Sequence, residues 1–141
     1  MAPLPADEAG QATAALLKSA SPDMPLGARL YLDNCAACHF TSGKGSPEIF
    51  PELQGNSMVL GKDASPLVAL ILNGTASLKT DRRPMDLVMQ GYADRLTDSE
   101  VAALATFLRK GWGNQASDVS ESQVSKVRKH VQAAAAPERA N

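Results

Sequence analysis

Aromatic residues are scarce: one tryptophan, two tyrosines and three phenylalanines make up 4% of a 141-residue chain that is 44% apolar. A core built from polypeptide alone would lean on Ala, Leu and Val, and a buried ring system from outside the chain would fill what they leave. Charge of one sign is also missing. The formal net charge is −1, with both signs scattered along the chain, so no global field favours nucleic acid. The longest apolar stretch, residues 66–72, is far below the roughly 20 residues needed to cross a bilayer. No basic start followed by an apolar stretch opens the sequence, so a secretory signal is not expected within it, and Met1-Ala2-Pro3-Leu4-Pro5 reads as the start of an excised or mature segment. Cysteine is limited to Cys35 and Cys38, which leaves no spare thiol for an ordinary disulfide framework.

The length suits one domain with tails. Residues 1–24, rich in Ala, Pro, Ser and Asp, read as a linker or N-terminal extension with one short helix near residues 11–18. Residues 26–35 place Leu26, Leu30 and Tyr31 on one helical face leading into the cysteines, and Gly27 would let another helix approach closely. Residues 40–61 carry Gly43, Gly45, Pro47, Pro51 and Gly55 without a sustained period, as a loop wrapped over something would. Ser65 as N-cap, Pro66 in the first turn and Gly74 as a stop frame a short apolar helix. Residues 75–90 form a second loop, with Met85 and Met89. Thr97 and Glu100 make a capping box for a helix over residues 98–110 that Gly111 ends, with Val101, Leu104, Phe107 and Leu108 as its buried stripe. A polar linker and a last helix, opened by Ser120 and Gln123, occupy residues 115–141.

Cys35-Ala36-Ala37-Cys38-His39 carries the chemistry. Two thiols separated by two residues can each add across a vinyl group on one porphyrin edge, and the adjacent imidazole then reaches the iron from the same side. A structural zinc site needs about four ligands, and only Cys35, Cys38, His39 and the distant His130 are on offer. A thioredoxin-like dithiol should follow a strand and open a helix, whereas this motif ends a helix and precedes a Gly/Pro loop. Haem attachment is the reading that remains, with His39 as proximal ligand. A methionine thioether at the sixth position favours reduced iron, and Met58, Met85 and Met89 are the candidates, with His130 as an outsider.

Gly27-Ala28-Arg29-Leu30-Tyr31, the haem motif, Phe50-Pro51-Glu52-Leu53-Gln54-Gly55-Asn56, and the run from Met89 to Trp112-Gly113-Asn114 together resemble the class I cytochromes c. The resemblance covers residues 25–114. It is strongest to the haem domains in the cytochrome subunits of bacterial membrane-bound alcohol, sorbitol, gluconate and glucose dehydrogenases, which typically carry three such domains in a row; this sequence is similar to the last. It implies an all-α fold of three to five short helices around one covalent haem c, plus a C-terminal helix. The family's Met-Pro-x-Phe segment falls on Met89-Gln90-Gly91-Tyr92, which makes Met89 the implied distal ligand. Gln90 replaces the family's proline and keeps Met85 as a second choice. Pro51 matches the proline whose carbonyl accepts the proximal imidazole proton. Gly27 and Tyr31 match first-helix positions that cross the final helix opposite Leu104 and Phe107.

The resemblance implies electron transfer rather than catalysis: a relay from a dehydrogenase catalytic subunit, or a neighbouring haem, to quinone or another acceptor. It also implies a periplasmic location, on the face of the inner membrane where the parent protein attaches peripherally. Arg82 and Arg83 are candidates for pairing with haem propionates, and Trp112 either does so or closes the final helix, the second being favoured. Lys126, Arg128, Lys129 and His130 form a small basic face expected to be solvated. The competing function is a haem-based ligand sensor with an open or displaceable sixth site.

Overall fold

Gly27 sets the main helix crossing. A Cβ there would lie 2.4 Å from the Ala103 carbonyl oxygen and 2.8 Å from Phe107 Cβ, so only glycine lets α2 (Leu26–Asn34) and α6 (Asp98–Lys110) approach this closely. The computed structural model describes residues 6–19, 21–45, 52–53, 55–77 and 87–139. Gly27, Ala28, Leu30 and Tyr31 of α2 are buried at this contact. Leu26, expected on the same face, is instead half-exposed: it stands in the first turn, at the rim of a groove beside α6.

α6 begins as its sequence dictates. Thr97 Oγ1 accepts from the Glu100 amide at 3.2 Å and the Glu100 carboxylate accepts from the Thr97 amide at 2.9 Å, which satisfies two amides that the first helical turn leaves open. Val101, Leu104 and Leu108 are buried, and Phe107 partly so. α5 (Ser65–Asn73) adds Leu67, Val68, Ile71 and Leu72 to the same core. Its N-cap is Ala64, with no side-chain cap, rather than Ser65; Asp63 Oδ1, one residue earlier, accepts from the Ser65 amide at 2.9 Å.

Between these helices lie the single turns α3 (Ala36–His39) and α4 (Ser57–Leu60), so the residues matching the first to the last family helix contain five helical segments. Five is the upper end of the three to five short helices expected. The expected second loop has structure at both ends: β1 (Gly74–Ser77) and β2 (Leu87–Gln90) pair antiparallel, with Thr75 opposite Met89.

Two helices flank this core. α1 (Ala6–Ser19), in the stretch read as a linker or extension, packs on the 3-10 turn Gly111–Gly113, burying Leu17 completely. α7 (Glu121–Arg139) packs on α5 and α6 through Val124. Its Ser120 and Gln123 capping pair is present, at 3.1 and 2.8 Å. Among the described residues no helix is long and apolar enough to cross a membrane.

Candidate functional site

The cysteine motif begins where α2 ends. The Cys35 amide donates to the Tyr31 carbonyl at 2.8 Å, and the amides of Cys38 and His39 both reach back to the Cys35 carbonyl, at 3.2 and 3.0 Å. Residues three apart on a helical turn lie near one face, so the turn that Cys35 caps sets Cys35 and Cys38 on one side of the backbone with His39 next in line. The two thiols are unpaired; Cys35 is buried and Cys38 exposed. Burial pushes the Cys35 thiol up to about 12, and the charge of Cys38 adds to that direction. The donor set is therefore two free thiols on one turn and an imidazole beside them, which is the set a doubly attached haem needs. Among the described residues no three His, Cys, Asp or Glu side chains converge as a metal site.

The turn is closed by strain that its surroundings hold. Phe40, directly after His39, has φ 63° and ψ 166°, a region that costs a non-glycine residue about 1–3 kcal/mol. Two hydrogen bonds fix it there. Its amide donates to the Ala36 carbonyl at 2.8 Å, and the buried Tyr31 hydroxyl donates to its carbonyl at 2.7 Å. Tyr31 stays protonated because burial raises its pKa, with a further contribution from Cys35. Tyr31 thus serves the motif as well as the helix crossing.

Trp112 grips the next residues. Its indole N–H donates to the Thr41 carbonyl at 2.9 Å, so the ring closes the end of α6 against the loop that leaves His39, the favoured expectation for this residue. It stands edge-on to Tyr31 and Phe107, with centroids 5.0 and 5.4 Å away. Asn114 completes the frame. Its amide donates to the carbonyls of Leu53 and Leu108 at 3.2 and 2.9 Å, while its oxygen accepts from the Gly55 amide at 2.9 Å. The Leu53 amide in turn donates to the Gly43 carbonyl at 2.7 Å. The loop segment next to Pro51 is thereby tied to the segment after His39. Pro51 itself, Met85, Arg82 and Arg83 lie outside the described residues.

Met89 sits in β2, partly buried against the core. Three residues on, Tyr92 is buried and its hydroxyl donates to the carbonyl of Asn34, the residue before Cys35, at 2.8 Å. The segment carrying Met89 is therefore fastened to the start of the motif. Met58 is on the exposed surface of α4 and His130 is exposed on α7.

Sequence reasoning missed two arginines. Arg109 is buried and donates to the carbonyls of Val59, Gly61 and Ser117 at 2.9, 2.7 and 2.8 Å; a basic residue in the last turn of a helix gives no hint of this. Arg128 was expected on a solvated basic face, yet its guanidinium donates to Asp98 at 2.7 Å and to the carbonyls of Ala93 and Leu96 at 2.6 and 2.8 Å. Its neighbours Lys126, Lys129 and His130 are exposed.

Comparison with known proteins agrees with this geometry. The family model for cytochrome c matches residues 25–112. The cytochrome c subunit of a quinone-dependent alcohol dehydrogenase from Gluconobacter oxydans (strain 621H) is 39% identical over 120 residues, covering 84% of this chain and 25% of the relative. The cytochrome c subunit of a gluconate 2-dehydrogenase from Pantoea cypripedii is 32% identical over 109 residues, covering 76% of this chain and 25% of that protein. A cbb3-type cytochrome c oxidase subunit from Bradyrhizobium sp. (strain ORS 278) is 30% identical over 94 residues, 66% of this chain and 29% of the relative. The chain thus spans about a quarter of the length of the dehydrogenase subunits it matches. It belongs to the cytochrome c family, carries a covalently bound c-type haem and serves electron transfer.

Proposed function

We propose that Cys35 and Cys38 hold the haem through thioether bonds, that His39 and Met89 are the axial ligands of its iron, and that the domain relays electrons from a dehydrogenase catalytic subunit or a neighbouring haem to quinone or another acceptor. The observation that supports this reading is the single turn α3, capped by Cys35 and carrying Cys38 and His39, at the end of a family-matched helix. When bound, the haem supplies the one-electron couple; the chain binds, orients and shields it. Cys35 and Cys38 fix one edge, and the Trp112 and Asn114 bonds hold the loop that leaves His39. The Pro51 carbonyl is assigned as acceptor for the His39 ring proton, which would orient the imidazole and strengthen it as a donor. Met89 supplies a soft thioether that raises the potential, from a segment fastened at Tyr92 to the residue before Cys35.

The setting we propose is the periplasm, within a longer, multihaem chain, since the dehydrogenase relatives are cytochrome subunits about four times as long as the matched region. The surface around the motif supports tethered delivery. Among the described residues there, Ala37 and Phe40 are exposed beside two exposed charges of opposite sign, Asp33 and Lys44, which offer no concentrated field of one sign to steer a partner. Linkage within one chain instead raises the effective concentration to about millimolar.

The test is stopped-flow reduction of the haem-loaded chain by a quinone-type dehydrogenase across an ionic-strength series, alone and in its parent polypeptide. Fast reduction in the parent, with slow and salt-insensitive reduction of the separate chain, is expected. A fast bimolecular rate for the separate chain that falls steeply with salt would indicate a freely diffusing carrier. In the same preparation Met89→Ala should remove the weak red absorption of a methionine-ligated ferric haem, and Met85→Ala should leave it. The reverse pattern would move the ligand to Met85.

A further inference from the structure

Besides the Tyr92 bond to Asn34, the turn that follows Met89 is held from two further sides. On one side it lies against the end of α5: the Tyr92 and Ala93 amides donate to the Ile71 and Leu72 carbonyls at 2.9 and 3.1 Å. At Gly91 a Cβ would stand 2.4 Å from the Leu72 oxygen, so the backbone runs directly over the helix end. On the other side is α7. Arg128 donates from Nη1 to Ala93, from Nη2 to Leu96 and from Nε to Asp98, at 2.6, 2.8 and 2.7 Å. The three acceptors belong to the first and last residues of the turn and to the first turn of α6. A planar guanidinium offers these acceptors three nitrogens in one fixed fork, which an ammonium, with its three donors on a single atom, does not reproduce.

α7 lies beyond residues 25–112, the region matched by the cytochrome c family model, so this grip is added to the family core. It is also built to stay in place. Val124 is fully buried beneath α7, and the segment leading to it is latched to α6: the Val119 amide donates to Thr106 Oγ1 at 3.0 Å, and the Ala116 amide to the Arg109 carbonyl at 3.0 Å. Arg128 and Asp98 are both mostly shielded from solvent, at 18% and 29% side-chain exposure, so the charge-assisted bonds are not simply surface pairs of little worth.

We propose that Arg128 is a positioning residue for the distal side of the haem: by clamping the turn after Met89 it keeps the thioether on the iron and makes the C-terminal helix a control point for ligand exchange. This rests on the assignment of Met89 as axial ligand. Without the clamp the turn keeps its α5 contacts and the Tyr92 bond to Asn34 but loses its hold on α7, and the Met-off form, open to an external ligand, gains population.

The experiment uses the haem-loaded full chain and carbon monoxide as the probe of the sixth site in the reduced state, together with the red absorption band of the oxidised state. Losing charge-assisted hydrogen bonds should raise the carbon monoxide binding rate of Arg128→Ala by about tenfold and weaken the band. Arg128→Lys, which keeps the charge but not the fork, should fall between, at about threefold, and it carries the same test should the alanine variant not accumulate. Leu17→Ala, chosen to destabilise the chain at α1 without touching α7 or the turn, and Lys129→Ala, an exposed neighbour, should each stay within about twofold of the parent. The proposal is overturned if both Arg128 variants also stay within that range, or if Leu17→Ala at a similar loss of thermal stability accelerates binding as much as Arg128→Ala. Met89→Ala separates the two claims. If it retains the red band, the ligand assignment fails and this proposal with it; if it loses the band while the Arg128 variants behave as parent, the clamp alone is refuted.

Discussion

Replacing Trp112 by Phe removes one hydrogen bond and part of one ring while keeping an aromatic edge against Tyr31 and Phe107, whose centroids are 5.0 and 5.4 Å away. The Thr41 carbonyl, now bonded to the indole N–H at 2.9 Å, loses that donor in a partly buried position, which costs about 1 kcal/mol. The ring is fully buried, and the lost portion corresponds to roughly two methylene groups at about 0.8 kcal/mol each. The combined loss is about 3 kcal/mol, which for a chain of this size lowers the melting temperature by about 10 °C. Thermal unfolding of the haem-loaded variant, followed by circular dichroism and by haem absorption, measures it. Thr13→Val serves as a smaller reference: it removes the hydroxyl that accepts from the Trp112 amide at 2.9 Å and should cost about 1 kcal/mol. A Trp112→Phe variant that melts within a degree or two of the parent would refute the view that this indole ties the end of α6 to the loop after His39.

Gly27→Ala should destabilise despite alanine's better helix propensity. The added Cβ meets backbone at 2.4 Å, and forcing the helices apart costs about 1–3 kcal/mol, which outweighs the roughly 1 kcal/mol gained by removing glycine from a helix; denaturant unfolding of the loaded chain would show the sign directly. Alkylation of the haem-free chain should separate the two thiols. With the Cys35 pKa pushed up to about 12, against about 8.5 in an unfolded chain, Cys35 holds its proton at pH 8 and reacts at least about a hundredfold more slowly than the exposed Cys38, a difference that urea should erase. Because the folded state keeps the proton that an unfolded chain gives up, stability of the haem-free form should be level below about pH 8.5 and fall as pH rises from there towards 12. The haem-loaded chain, with no thiol left to titrate, should stay level to about pH 10, where Tyr31, also raised by burial, begins to give a fall of the same sign.

The parts of the fold visible in the sequence were those fixed by local chemistry. The capping box at Thr97 and Glu100, the glycine stop at Gly111 and the apolar run ending at Asn73 each specify a helix boundary within a few residues, and the structure has them there. Gly27 was legible as a close approach because a glycine in an otherwise apolar helix needs a reason. Leu26 was not: its periodicity places it with Leu30, but only the tertiary packing shows that, among the described residues, it stays half-exposed at that end of α2. The pairing of residues 74–77 with 87–90 also escaped, since neither arm alternates apolar and polar residues clearly enough to mark a strand. The haem motif itself could be read directly, because its chemistry resides in five consecutive residues. The groups that steady it could not be. Arg109, Asn114 and Arg128 act on backbone carbonyls up to 61 positions away, and a carbonyl is present at every residue, so no side-chain pattern announces the partner.

The account stands on covalent attachment of one haem at Cys35 and Cys38, and mass spectrometry of the denatured chain, produced alongside haem-attachment machinery, tests this most directly. The expected result is the polypeptide mass plus one haem, with the added mass on the tryptic peptide 30–44, no free thiol after unfolding, and loss of attachment in a Cys35→Ala, Cys38→Ala double variant. A folded chain of polypeptide mass alone with both thiols free, or a haem that acid extraction removes, would contradict it.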